Sequence, residues 1–146
     1  MRRPPLLFIV PLLALGLSGC DPSAKGFSLP PGDIAQGEQV FKDMQCLSCH
    51  TMEGYERPEG DWELSVALGG QVKSLKTYGE LVTSVINPSH RLAKVTDMST
   101  IQVDGKSVMP VYNNLMTVSE LIDLVTFLES KYELEPYEPT VYDLHH

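Results

Sequence analysis

The chain has 146 residues, 42% of them hydrophobic and 21% charged, which is the make-up of one ordinary globular domain. Its formal charge of −8 and low pI set it against a phosphate backbone, so nucleic acid is excluded as a partner class. Three cysteines, once assigned as below, leave no pair for a structural disulfide.

Met1-Arg2-Arg3 is a short basic lead, and Leu6 to Leu17 is an apolar stretch broken only by Pro11 and Gly16. That run is too short to span a bilayer and has the length of a signal-peptide core. It closes on Leu17-Ser18-Gly19-Cys20, which resembles the bacterial lipobox at all four positions. The resemblance implies removal of residues 1–19, lipid on Cys20 and a place on the periplasmic side of a bacterial membrane; the open alternative is ordinary small-residue cleavage. Several acyl chains on one residue anchor stably, whereas one is marginal. Loss of Arg2 and Arg3 takes the formal charge from −8 to −10. Asp21 resembles the enterobacterial signal for retention at the inner membrane. Residues 20–32, rich in Pro, Gly and Ser, read as a tether of roughly 20 Å on average and about 40 Å when extended.

Asp33 reads as the N-cap of a first helix, with Gln36 in capping-box spacing. Ile34, Gly37, Val40, Phe41 and Met44 share one face. A mid-helix glycine costs up to about 1 kcal/mol against alanine, and close contact with another helix is the best reason for Gly37.

The helix leads straight into Cys46-Leu47-Ser48-Cys49-His50, the C-x-x-C-H pattern of covalent c-type haem attachment. Two thiols three positions apart add to the porphyrin vinyl groups, and the adjoining histidine serves as proximal iron ligand. A zinc site would need a second Cys/His pair, and no cysteine follows. A thioredoxin-like pair would sit in a βαβ pattern that is absent, and a plain disulfide leaves His50 unexplained.

Glu53, Glu56, Glu59, Asp61 and Glu63 follow with only Arg57 as a base, either a docking patch or a solvated loop. Residues 64–76 alternate apolar and polar around Gly69-Gly70, which permits a small hairpin. Thr77 and Glu80 cap a second helix that carries Leu81, Val82, Val85 and Ile86 and ends at Asn87-Pro88. Asp104-Gly105 supplies a turn. Thr117 and Glu120 cap the last helix, with Leu121, Leu124, Val125 and Leu128 as its apolar stripe, Phe127 and Tyr132 adding aromatic surface, and Pro136 beyond its end.

From Asp33 to about Tyr132 the chain resembles the class I c-type cytochromes, both in the haem motif and in Met-Pro-x-Tyr followed by Thr-x-x-Glu-Leu-x-Asp-Leu-Val-x-Phe-Leu. The resemblance implies an all-α fold in which the first and last helices cross over one covalent haem c. It matches Gly37, Phe41 and Phe127 to the crossing. Many members carry Gly-Pro-x-Leu after the haem motif, its proline carbonyl accepting from the proximal histidine. Trp62-Glu63-Leu64 lacks that proline, so the partner of His50 is left open. Candidates for the second axial ligand are Met98, His90, Met109, Met116, His145 and His146. Met109, held by Pro110 in the irregular stretch before the last helix, matches the family's distal Met-Pro and is the choice; a thioether favours ferrous iron.

The expected organisation is a removed leader (1–19), a lipidated tether (20–32), a haem domain (33–132) and a C-terminal tail (133–146). The expected role is single-electron carriage between redox partners that present a basic face, with no small-molecule substrate. No nucleophile–base pair and no phosphate loop suggests an enzyme. Two other readings stay open: a fixed haem subunit of a membrane respiratory or sulfur-oxidising complex, and a ligand-binding or peroxidatic haem protein with a labile sixth position.

Overall fold

The computed structural model describes residues 29–137 apart from Asp61 and Thr96. The leader, Cys20, most of the tether, His145 and His146 lie outside the described residues.

Helix α1 (Ile34–Asp43) begins where the Asp33 side chain accepts from the Gln36 amide at 2.9 Å. Only half of the expected capping box forms. The Asp33 amide instead donates to the Asp123 carboxylate at 2.7 Å, so the start of α1 is tied to the last helix rather than closed on Gln36. Gly32, assigned to the tether by sequence, also packs there, its amide donating to Thr126 Oγ1 at 3.2 Å. Helix α2 (Tyr78–Ile86) and helix α3 (Val118–Glu129) each carry a complete capping box, Thr77 with Glu80 and Thr117 with Glu120. Two of the four orphan amides at each start are thereby satisfied.

The two terminal helices form the frame. A Cβ placed on Gly37 would fall 2.0 Å from the Asp123 carbonyl oxygen and 2.7 Å from Phe127 Cβ, so only glycine lets α1 and α3 meet here. Phe41 and Phe127, both fully buried, meet beside that contact with ring centroids 5.4 Å apart. Tyr55 closes an aromatic triangle, edge-on to Phe41 at 6.1 Å and to Phe127 at 5.9 Å. Such pairs add about 0.5–1.5 kcal/mol each beyond their buried area. Helix α2 contributes Leu81 and Val85 to the same core.

The fold is mainly helical, with short strands fixing the connections. Strand β1 (His50–Met52) lies parallel to β2 (Val66–Leu68), pairing His50 with Val66. Strand β3 (Gly70–Val72) lies parallel to β6 (Tyr132–Leu134). The hairpin expected within residues 64–76 is therefore corrected: β2 and β3 are not partners. Gly69 and Gly70, at φ +74° and +78°, turn the chain so that Gly70 donates to the Lys131 carbonyl at 2.8 Å. A Cβ on Gly69 would sit 2.8 Å from that same oxygen. An antiparallel pair does form further on, between β4 (Gln102–Val103) and β5 (Lys106–Ser107). Its two-residue turn has Asp104 at φ +50° and Gly105 at +75°, as the tightest hairpins require. No helix among the described residues is long and apolar enough to cross a membrane.

Candidate functional site

Helix α1 ends at Met44, and Gln45 takes a left-handed conformation (φ +54°) that turns the chain into a 3₁₀ turn over Cys46–Ser48. Ser48 and Cys49 donate back to Gln45 and Cys46 at 2.9 and 3.2 Å. This places Cys46, Cys49 and His50 on the wall of a cavity of about 610 Å³ between the helices. Its size falls within the range of cofactor pockets. The opposite reaches of the chain supply Met109 and Tyr112, while α2 and α3 supply Leu81, Val85, Leu124 and Leu128.

The donor set suits haem. Burial pushes the Cys46 thiol up to about 11. Among the described residues no cluster of three His, Cys, Asp or Glu side chains could hold a bare metal ion. His50 Nδ1 lies 3.0 Å from the Val66 carbonyl oxygen, its acceptor, which leaves Nε2 available to a metal. Burial holds His50 below the ordinary histidine value; the Val66 bond pulls it up and the Arg57 charge pushes it down again. The direction of the shift favours the neutral imidazole, the form that ligates. Val66 is the partner that sequence left open: a strand carbonyl paired with β1 stands where the family pattern would use a proline. The charged lining is mostly cationic, Lys76 and Arg91 with one carboxylate, Glu80, already bonded to Arg91 at 2.8 Å. That suits a group carrying two carboxylates.

The remaining candidates separate. Met109 reaches the cavity wall on a backbone held by Ser107, whose Oγ accepts from the Met109 amide at 3.1 Å. Met116 and His90 also line the cavity, Met116 with part of its surface packed on the core. Met98 sits on the exposed 3₁₀ turn Met98–Thr100 and does not line it. Tyr112 donates to the Met44 carbonyl at 3.2 Å, bracing the segment after Met109 against the end of α1.

Sequence reasoning passed over Arg57, taken as one base in an acidic loop. Its guanidinium donates to the carbonyls of Leu47, Ser48 and Leu64 at 3.0, 2.6 and 2.8 Å. The signal was there in kind, since a single arginine beside a tight turn has carbonyls to serve, but its partners lie on two separate segments, Leu47-Ser48 and Leu64.

The family model for cytochrome c matches residues 34–131. The chain belongs to the cytochrome c family. It is a haem-binding electron-transfer protein, and it carries covalently attached haem c, with Cys46 and Cys49 in the attachment motif. No curated protein and no solved structure matches the chain.

Proposed function

We propose that this cytochrome is a single-electron carrier with a closed, six-coordinate haem, held by His50 on the proximal side and Met109 on the distal side. The haem supplies the Fe(II)/Fe(III) couple. The observation that carries the reading is that His50, with its Nδ1 already engaged, and Met109, on a segment stiffened by Pro110 and the Ser107 bond, line one apolar cavity. The Met109 thioether favours the ferrous state, which suits a carrier that must accept an electron readily. Lys76 and Arg91, both on the cavity wall, would supply the positive charge that meets the haem carboxylates. The apolar side chains of α2 and α3 exclude water, so the change of charge meets little solvent reorganisation.

Lipid on Cys20 tethers the domain on the periplasmic side of a bacterial membrane, with the inner membrane indicated by Asp21. The partners are redox proteins with a basic face. Glu53, Glu56, Glu59 and Glu63 support this: each is exposed, and among the described residues none is in an ion pair, because the one base between them is turned inward. A second reading, a fixed subunit of a membrane respiratory complex, is favoured by the exposure of Val103, Val111 and Leu115 at 65%, 58% and 67%.

Carbon monoxide added to the dithionite-reduced holoprotein tests the carrier. No change in the absorption spectrum is expected for the wild type, and full binding for Met109→Ala. Fast, complete binding by the wild type would overturn the closed site and promote the ligand-binding alternative.

A further inference from the structure

We propose that Arg57 is the positioning residue of the proximal side: its guanidinium locks the Cys46–Cys49 loop onto the lead-in, at Leu64, to the strand whose carbonyl orients His50. The inference rests on His50 being the proximal ligand.

The backbone carbonyls of the attachment loop can be followed one by one. Gln45 accepts from Ser48 and Cys46 accepts from Cys49, within the 3₁₀ turn. Cys49 accepts from the Val66 amide at 3.0 Å. The two between them, Leu47 and Ser48, have no backbone donor among the described residues, because the turn ends after three residues and the chain straightens into β1. Half-buried carbonyls need a partner, and Arg57 serves both, Nε to Leu47 and Nη2 to Ser48. The same Nη2 reaches Leu64, two residues before Val66. One planar, permanently charged group therefore joins the loop that carries both cysteines to the segment that leads into β2, whose Val66 accepts from His50.

Arg57 is itself held. Its guanidinium carbon lies 5.7 Å from the centre of the Trp62 ring, and Trp62 Nε1 donates to the Pro58 carbonyl at 2.7 Å. Trp62 thus packs back on the arginine, whose fork faces inward onto the three carbonyls. A lysine keeps the charge but lacks the rigid fork that spans three carbonyls. This clamp and the β1–β2 pairing together do the orienting of His50.

The test compares wild-type holoprotein with Arg57→Gln and Arg57→Lys by amide hydrogen exchange and by midpoint potential. In Arg57→Gln the Ser48 and Cys49 amides are expected to exchange at least tenfold faster, while the Val125 and Phe127 amides of α3 stay protected. The potential is expected to fall, since a fixed positive charge bonded to the haem-attaching loop is lost and that loop loosens. In Arg57→Lys the loop amides are again faster, with a smaller fall in potential. Should Arg57→Gln not accumulate as holoprotein, Arg57→Lys decides alone. Wild-type loop protection in Arg57→Lys would overturn the proposal. So would a uniform loss of protection across loop and α3 at unchanged potential, which marks a merely structural residue. If His50 is not the ligand, the wild-type spectrum shows it before any variant is compared.

Discussion

Gly37 of α1 lies so close to Asp123 of α3 that an alanine Cβ would stand 2.0 Å from the Asp123 carbonyl oxygen. That atom belongs to helix backbone and has no rotamer by which to yield. Gly37→Ala must therefore part the helices, disturbing the Phe41–Phe127 contact next to it. The expected loss is about 3 kcal/mol or more, a large share of a small domain's stability. Guanidinium unfolding of the holoprotein measures it. A change within about 0.5 kcal/mol would show that the helices do not rely on this contact.

Tyr78 presents the opposite case. Its hydroxyl is buried and has no hydrogen-bond partner among the described residues. Burial raises the phenol above its ordinary value, with the Glu129 charge adding to it, so the group is a neutral, unsatisfied donor. Tyr78→Phe removes the polar atom and keeps the ring. A gain of roughly 1 kcal/mol is expected in the same unfolding experiment. A loss of that size would reveal a partner for the hydroxyl.

The parts of the fold that could be read from sequence are those whose cause is local or recurs at a fixed period. The capping boxes at Thr77 and Thr117 need only four adjacent residues. The glycine at Gly37 announces a close contact by its cost in a helix. Phe41 and Phe127 follow from periodicity together with the family pattern, and C-x-x-C-H names its chemistry by spacing alone. What stayed hidden depends on partners distant in sequence. Gly69-Gly70 looks like a hairpin turn until the chain after α3 returns, and the Lys131 carbonyl and Tyr132–Leu134 take up β3. Val66 carries no mark in its side chain, because it is the carbonyl that serves His50. Arg57 is a charge in an acidic stretch by composition and a clamp by geometry. Tyr55 joins the aromatic core from a loop, outside any helical period.

The capping boxes predict a pH dependence. Glu80 is held below its ordinary 4.5 by the Thr77 amide, then by Arg91 and the Thr77 hydroxyl. Glu120 is held below it by the Thr117 amide and hydroxyl. A carboxyl whose native pKa lies below its unfolded value stabilises the fold above the unfolded value, and the gain is lost as pH falls through the native one. Stability from these groups is thus present at neutral pH and fades below about pH 4.5. The double variant Glu80→Gln, Glu120→Gln should be less stable than wild type near pH 7 and converge on it at low pH. Urea unfolding at a series of pH values reads this; parallel curves at every pH would remove these two carboxylates from the acid limb.

The acidic loop predicts a salt dependence. Arg57 spends its donors on carbonyls, so Glu53, Glu56, Glu59 and Glu63 present their charge to the surroundings next to the haem-attaching segment. Unpaired charges of one sign steer an oppositely charged partner over a distance set by the Debye length, about 30 Å at 0.01 M salt and under 10 Å near 0.15 M. The bimolecular rate of electron transfer to a basic redox protein should fall roughly tenfold or more between those conditions. Replacing Glu53, Glu56, Glu59 and Glu63 by glutamine together should flatten that dependence while the midpoint potential moves little, since none of these side chains lines the cavity. Stopped-flow absorbance measures both rates. An unchanged salt slope in the variant would show that the loop is merely solvated and that docking uses another face; the exposed Val103, Val111 and Leu115 would then be the next residues to substitute.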